Sequence, residues 1–269
     1  MNFTLGVRAF FRSTAALVFA FLYLPLLVVL LLSFNGNASL AWPPRDFTLE
    51  WWRRAFQSYG AREALWVSIK TACGATLVAM VLGVLAAMGV HRFKFFGRET
   101  VSLLIVLPIA LPGIVTGIAL NAAFHQVGLE LGLLTLIVAH ATFCVVVIYN
   151  NVLARLRRLS PNVEEASADL GADAFQTFRL VTFPLMRTAV LAGGLLAFGL
   201  SFDEIVVTTF TSGPGLETLP LWIFRNLSRG AQQPIVAVVA SAVMLLSIIP
   251  VWIAQRLTGG PISVAGGSR

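Results

Sequence analysis

Lysine is almost missing from this 269-residue chain: only Lys70 and Lys94 are present, and neither follows the glycine spacing that a phosphate-binding loop needs before its Lys and Ser/Thr. The chain therefore has no apparatus of its own for hydrolysing ATP. Carboxylates are scarce as well, with 12 Asp plus Glu in all, and charged residues make up only 12% of the chain. There is no His-Glu-x-x-His, no Gly-x-Ser-x-Gly and no paired carboxylates in a plausible cleft, so no catalytic residue, metal or cofactor is expected. Cysteine is limited to Cys73 and Cys144, both inside apolar stretches and without Cys-x-x-Cys or Cys/His spacing. That excludes a disulfide framework and a zinc site and reads both thiols as core residues. No 20- to 50-residue repeat is visible, which removes the solenoid and propeller classes.

Apolar sequence is what the chain has in abundance. It is 58% hydrophobic with a mean hydropathy of +0.86, beyond what a soluble domain carries. A bilayer core of about 30 Å takes roughly 20 apolar residues per helix. Six runs of that length are legible: Thr14 to Phe34, Leu65 to Val90, Val101 to Phe124, Leu131 to Leu153, Leu185 to Phe210 and Ile235 to Leu257. The first is longer than the apolar segment of a signal peptide and reads as a span. The expected architecture is an all-α membrane protein with six transmembrane helices in one domain, residues 1–257, followed by a flexible cytoplasmic tail at 258–269.

The net charge of +7 reflects topology, because the basic residues cluster beside the apolar runs and form no nucleic-acid-binding face. Arg92, Lys94 and Arg98 crowd one connection, Arg155, Arg157 and Arg158 another, and Arg8, Arg12, Arg179, Arg187, Arg256 and Arg269 fall on the same side. The opposite side holds Arg45, Arg53, Arg54, Arg62, Arg225 and Arg229. Cytoplasmic loops are the ones enriched in Lys and Arg, so both termini are expected in the cytoplasm. Outside, Trp42, Trp51 and Trp52 beside Pro43-Pro44 are expected at headgroup level, a substrate or partner contact being the other reading. A short surface helix is expected around Leu219 to Leu227, with Pro220 in its first turn, meeting an extracytoplasmic partner. Pro108, Pro112 and Gly113 predict a kink in the third run.

Polar residues inside the runs are few. Asp203 and Glu204, in FGLSFDEIVVTTF, are the only carboxylates there. At 1.5 Å per residue Asp203 lies roughly 27 Å from Leu185, in the outer half of the bilayer. A buried acid at that depth suits a substrate pathway or gate; the alternative is an interfacial carboxylate pairing with Arg225 or Arg229. His140 and Asn121 read as interhelical hydrogen-bonding groups, and Lys70 as a residue that snorkels from one turn inside its span. Gly193, Gly194 and Gly199 read as a close-packing surface for a second subunit.

One charged passage stands apart: EEASADLGADAFQTFRLVTFPL, Glu164 to Leu185, on the expected cytoplasmic side between the fourth and fifth runs. Its grammar is a short helix, a Gly171 break and a second helix stopped by Pro184. It resembles the EAA loop of ABC-importer permeases, in which Glu-Ala-Ala is followed after three residues by Gly and, nine residues later, by Ile-x-Leu-Pro. Ser167 stands for the second Ala, and Val181 and Phe183 for the Ile and Leu. SFNG after the first run, LPIALPGIVTGIAL in the third, HATFCVVVIYN in the fourth and SFDEIVVTTFTSGPGLETLPLWIF beyond carry the likeness along nearly the whole chain. Together they resemble the second inner-membrane permease of spermidine/putrescine-type ABC importers.

That resemblance implies the type I importer permease fold, with residues 160–184 as the coupling loop, in a bacterial inner membrane. It implies as partners a second homologous permease, two ATP-hydrolysing subunits and a periplasmic solute-binding protein, and no nucleic acid. Glu164, Glu165, Ala166, Gly171 and Pro184 would couple to the ATPase. Asp203, with Glu204 as the weaker candidate, would meet a passing polyamine. Other solutes carried by related importers, namely gamma-aminobutyrate, phosphonate, opine or ferric ion, remain alternatives. So does a passive channel or an ion-coupled transporter in which Asp203 binds the ion.

Overall fold

In hydrocarbon every backbone N–H and C=O has to find a partner inside its own segment, so long apolar sequence folds as helix. The computed structural model describes residues 5–37, 42–44, 46–160 and 162–258, and its elements are helical almost throughout. In chain order they are α1 (Leu5–Leu32), α2 (Glu50–Gln57), α3 (Tyr59–Arg92), α4 (Arg98–Ala110), α5 (Gly113–Gln126) and α6 (Leu133–Leu156). Then come α7 (Asn162–Asp169), α8 (Ala174–Thr177), a π turn at Phe178–Thr182, α9 (Phe183–Phe202), α10 (Val206–Thr211), α11 (Leu219–Leu227) and α12 (Gln233–Thr258). The expected tail at 258–269 lies outside the described residues apart from Thr258, where α12 ends.

Among the described residues five helical stretches are long and apolar enough to cross a membrane: Ala9–Leu32, Tyr59–Arg92, Leu133–Leu156, Ala174–Phe202 and Gly230–Ile249. The third expected span is a broken pair, α4 and α5, bent by 105°. A kink is expected there from Pro108, Pro112 and Gly113, and its sharpness has a local cause. Pro112 offers no N–H and pushes the residue before it out of the helical region, so Leu111 is extended at φ −80°, ψ 143° and the helix restarts at Gly113. The fifth run, read as unbroken from Leu185 to Phe210, is interrupted as well, between Phe202 and Val206.

The chain divides into two compact units. The first takes residues 1–62 and 222–248. There the segment after α1 turns back in a short antiparallel bridge, with the Gly36 N–H donated to Asp46 O at 2.7 Å and the Thr48 N–H to Phe34 O at 2.8 Å. Trp51 Nε1 donates to Asn35 O at 2.9 Å, and Trp52 stacks on Phe34 with ring centroids 5.4 Å apart. Two of the three tryptophans expected at headgroup level thus pin the loop to the end of α1, while Trp42 is exposed. On α2 the Glu50 carboxylate takes a fork of bonds from Arg53 and Arg54 at 2.7–3.0 Å. The Arg53 bond, then the Arg54 bond, hold its pKa down to about 2. The fork therefore persists on acidification until the pH falls toward that value.

The second unit takes residues 63–221 and 249–269, and α6 is its axis. Leu136, Ala139, His140, Cys144, Ile148, Tyr149 and Val152 of α6 are fully buried. Small residues let the neighbouring helices approach. A Cβ on Gly83 of α3 would stand 3.0 Å from Ile148, and Gly193 of α9 lies against Ile148 and Asn151. Gly194 faces the Met80 sulfur. Gly193 and Gly194 are therefore consumed by packing within this chain, correcting the expectation that they serve a second subunit; only Gly199 of the three opens onto free space. Cys144 is a core thiol donating to Ala197 O, but Cys73 is exposed on α3. Because α3 starts at Tyr59, Lys70 lies three turns in and is exposed, deeper than the single turn expected.

Candidate functional site

The charged passage folds as a hinge of two helices. α7 ends in Gly171, whose φ of +82° lies in the left-handed region. The Gly171 N–H donates to Ala168 O at 2.9 Å and the Ala172 N–H to Ser167 O at 3.1 Å. These are the two bonds of a Schellman cap, which needs a residue at home in that conformation. Asp173 then opens α8: its Oδ1 accepts the Gln176 N–H at 2.8 Å, and Gln176 Oε1 accepts the Asp173 N–H at 3.0 Å. Ser167 and Thr177 share a 3.0 Å hydroxyl bond across the break, so the polar residue standing where the pattern has Ala ties the two helices together.

Pro184 does not stop the second helix. Helix runs on from Ala174 to Phe202. The reason is the π turn just before it: the Phe183 N–H reaches back five residues to Phe178 O, and this wider turn gives the proline ring room where an α-helical carbonyl would collide. Pro184 thereby sits in the first turn of α9, where its missing N–H does least harm.

The two glutamates part company. Glu164 is half-buried, accepts the Thr182 hydroxyl at 2.7 Å and stands 3.6 Å from Arg92 Nη2 at the end of α3. Glu165 and Ala166 are exposed, and Glu165 has no side-chain partner among the described residues. Leu170 and Phe175 flank the Gly171 turn with 89% and 67% of their surface exposed, an apolar face beside free charge. Arg155 Nε donates to Leu185 O at 2.9 Å, tying the end of α6 to the start of α9. Nothing in the local sequence marks that bond, or the approach of Arg92, because each joins residues far apart in the chain.

The second group of expected residues lies at the break after α9. Asp203 ends α9; its side chain is exposed and has no hydrogen bond or ion pair among the described residues. Glu204 is half-buried and turned inward, its Oε1 accepting the Val207 N–H at 2.9 Å. The adjacent acids therefore have opposite tasks: Glu204 caps α10 and Asp203 presents a free carboxylate.

α10 is only six residues long, too short for many of its own bonds, and side chains from α5 and α6 complete it. At its far end Asn121 Nδ2 donates to Phe210 O at 2.6 Å, and the Thr135 hydroxyl shares its hydrogen between Gly132 O at 2.9 Å and Thr211 O at 3.1 Å. In its middle Thr208 Oγ1 meets His140 Nε2 at 2.9 Å. A buried carbonyl left unpaired costs about 1–3 kcal/mol, so these bonds make the short helix possible inside an apolar span. Asn121 and His140 do bond between helices, as expected. What the sequence left unseen is that both converge on one element. A surface cavity of about 440 Å³ lined by His125, Gly128, Leu129, Glu130, Leu131 and Pro214 takes in none of these residues. Among the described residues no group of His, Cys, Asp and Glu is placed to hold a metal ion.

Comparison with known proteins gives this geometry its context. Residues 79–259 match the family described as the binding-protein-dependent transport system inner membrane component. The chain is 34% identical over 253 residues to the spermidine/putrescine transport system permease protein PotC of Haemophilus influenzae, covering 93% of this chain and 97% of that one. It is 34% identical over 244 residues to the putrescine transport system permease protein PotI of Escherichia coli, covering 87% of this chain and 86% of that one. Among solved structures, a bacterial ABC transporter involved in the import of the acidic polysaccharide alginate matches with a TM-score of 0.71 over 96% of this chain and 98% of that chain. At 17% identity that likeness speaks to the fold alone, and it is the expected all-α importer permease fold.

Proposed function

Since the chain belongs to the binding-protein-dependent transport system inner membrane component family, an inner-membrane permease subunit of an ABC importer, we propose that it forms with a second permease the pathway for a polyamine or similar small organic cation. The observation that carries this reading is the exposed, unpaired Asp203 carboxylate at a helix break inside the fifth apolar run, in a chain so similar to two polyamine permeases. A cation leaving water needs negative charge along its route, and the free acid of the pair supplies it. A solute-binding protein on the periplasmic side delivers the cargo, and two cytoplasmic ATPase subunits supply the energy that this chain lacks the residues to obtain.

The Gly171 hinge is the ATPase docking element in this reading, supported by the exposed Leu170, Phe175 and Glu165 around it. Both termini face the cytoplasm, with the bent pair α4 and α5 counted as one crossing. The basic connection before α4 and the absence of Lys and Arg between Gln126 and Leu133 after α5 support that count.

Cargo-stimulated ATPase activity of the reconstituted complex tests the proposal across a panel of solutes. Putrescine or spermidine is expected to stimulate. Stimulation by a different solute alone keeps the architecture and removes the cargo, and stimulation by none returns the chain to the channel class. A finer expectation separates the two glutamates. Glu165→Gln lowers stimulated ATPase activity without moving the melting temperature of the isolated subunit. Glu164→Gln shifts that stability by no more than about 1 kcal/mol, the scale of a half-exposed ion pair. A Glu165 variant with full stimulation would take that residue out of the docking surface.

A further inference from the structure

The break that carries Asp203 is fastened on both sides by one side chain. His140 of α6 is fully buried and spends both ring nitrogens there. Nδ1 lies 2.8 Å from Ser201 Oγ, two residues before Asp203, and Nε2 lies 2.9 Å from Thr208 Oγ1, five residues after it. Thr208 Oγ1 also lies 2.9 Å from Glu204 O, so the ring is joined through the Ser201 and Thr208 hydroxyls to both sides of the break.

The rest of the corner is held elsewhere. Glu204 Oε1 secures the start of α10, and Asn121 and Thr135 secure its last carbonyls. None of those bonds reaches α9, so among the described side-chain bonds His140 alone bridges the last turn of α9 to α10 across the break.

We propose that His140 is a positioning residue of the transport pathway: by pinning Ser201 and Thr208 on opposite sides of the break, it fixes where the Asp203 carboxylate stands. The inference rests on the reading of Asp203 as a cargo contact. It differs from simple interhelical adhesion in what it demands. Adhesion lowers the amount of folded subunit, whereas positioning acts through Asp203 and vanishes when Asp203 has nothing to contribute.

The test uses the whole reconstituted importer and measures uptake against the concentration of putrescine-loaded binding protein. His140→Leu is expected to lower the maximal uptake rate about tenfold, the scale of one buried hydrogen bond left unmade, with the KM for the loaded binding protein unchanged. His140→Gln keeps one donor and one acceptor and is expected to recover most of the rate. In an Asp203→Asn background, His140→Leu is expected to lower the rate further by less than about twofold, the mark of two residues acting as a unit. A second reading needs no cargo: in a Cys73→Ser background, the Asp203→Cys variant is labelled by a charged thiol reagent, and His140→Leu is expected to change the labelling rate at least several-fold. An undiminished His140→Leu effect in the Asp203→Asn background, or an unchanged labelling rate, overturns the positioning role. Asp203→Asn with a wild-type rate instead overturns the cargo reading of Asp203, and the pathway role of His140 falls with it.

Discussion

Gly171→Glu is expected to abolish ATP-driven uptake while the subunit still inserts and pairs with its partner permease. The argument is conformational before it is electrostatic. Gly171 holds φ at +82°, and both bonds of the helix cap depend on that value. An L-residue pays about 1–2 kcal/mol to stay left-handed, enough to tip a two-helix hinge with little other packing toward other geometries. Space is not the obstacle, since no atom lies within 4 Å of where a Cβ would be. The open side that makes the substitution sterically free is also where an ATPase would dock, and there a buried glutamate would be an unpaired charge. Gly171→Asn, tolerated in this conformation, is expected to keep a large part of the activity, and Gly171→Ala to fall between. Uptake into proteoliposomes together with ATPase pull-down reads all three. Full uptake by the Glu variant would take the hinge out of the docking surface, and equal loss in the Asn and Glu variants would point to surface shape in place of backbone strain.

Much of this molecule was legible because bilayer thickness leaves few options. Apolar runs of the required length became helices, and the short helix at Leu219–Leu227 with Pro220 in its first turn stands at the expected residues. It lies at the surface with one face packed: Leu219, Leu221, Trp222 and Asn226 are buried while Phe224, Arg225 and Leu227 are exposed, a division that the sequence does not specify. Hydropathy also missed the break after Phe202, because a three-residue interruption with apolar sequence on both sides does not alter a windowed average. The π turn before Pro184 was illegible for a related reason. A proline reads as a stop unless the preceding turn widens, and widening depends on the whole segment. The acids Asp203 and Glu204 were found together, since any carboxylate in an apolar run is conspicuous. Only geometry separates them, and that geometry is set by His140, Asn121 and Thr135, whose partners lie 61 to 89 residues away.

Asp203→Asn is expected to lower maximal uptake in proportion to cargo charge, and the size of the effect follows from where the carboxylate sits. It is exposed, so water screens it. Two unit charges about 4 Å apart interact by about 1 kcal/mol in water and about 4 kcal/mol at an effective dielectric constant near 20. Taking the lower figure for this wet site, loss of the charge removes about 1 kcal/mol per cargo charge, roughly fivefold in rate for a monovalent amine. A divalent diamine that brings both ammonium groups past the site in turn, or folds them around it, loses up to about 2 kcal/mol, close to thirtyfold. Asn fills nearly the same volume, so packing is preserved and the change isolates charge. Added salt is expected to narrow the gap between wild type and variant, because an exposed interaction is screened over about 10 Å at 0.1 M. Glu204→Gln supplies the internal contrast. Its amide oxygen still accepts the Val207 N–H, so its uptake is expected to stay within about twofold of wild type with no dependence on cargo charge. Uptake of putrescine and of a monoamine, each at two ionic strengths, separates the cases. Equal losses for both cargoes in Asp203→Asn would make Asp203 a helix-terminating residue and move the cation's counter-charge elsewhere in the pathway.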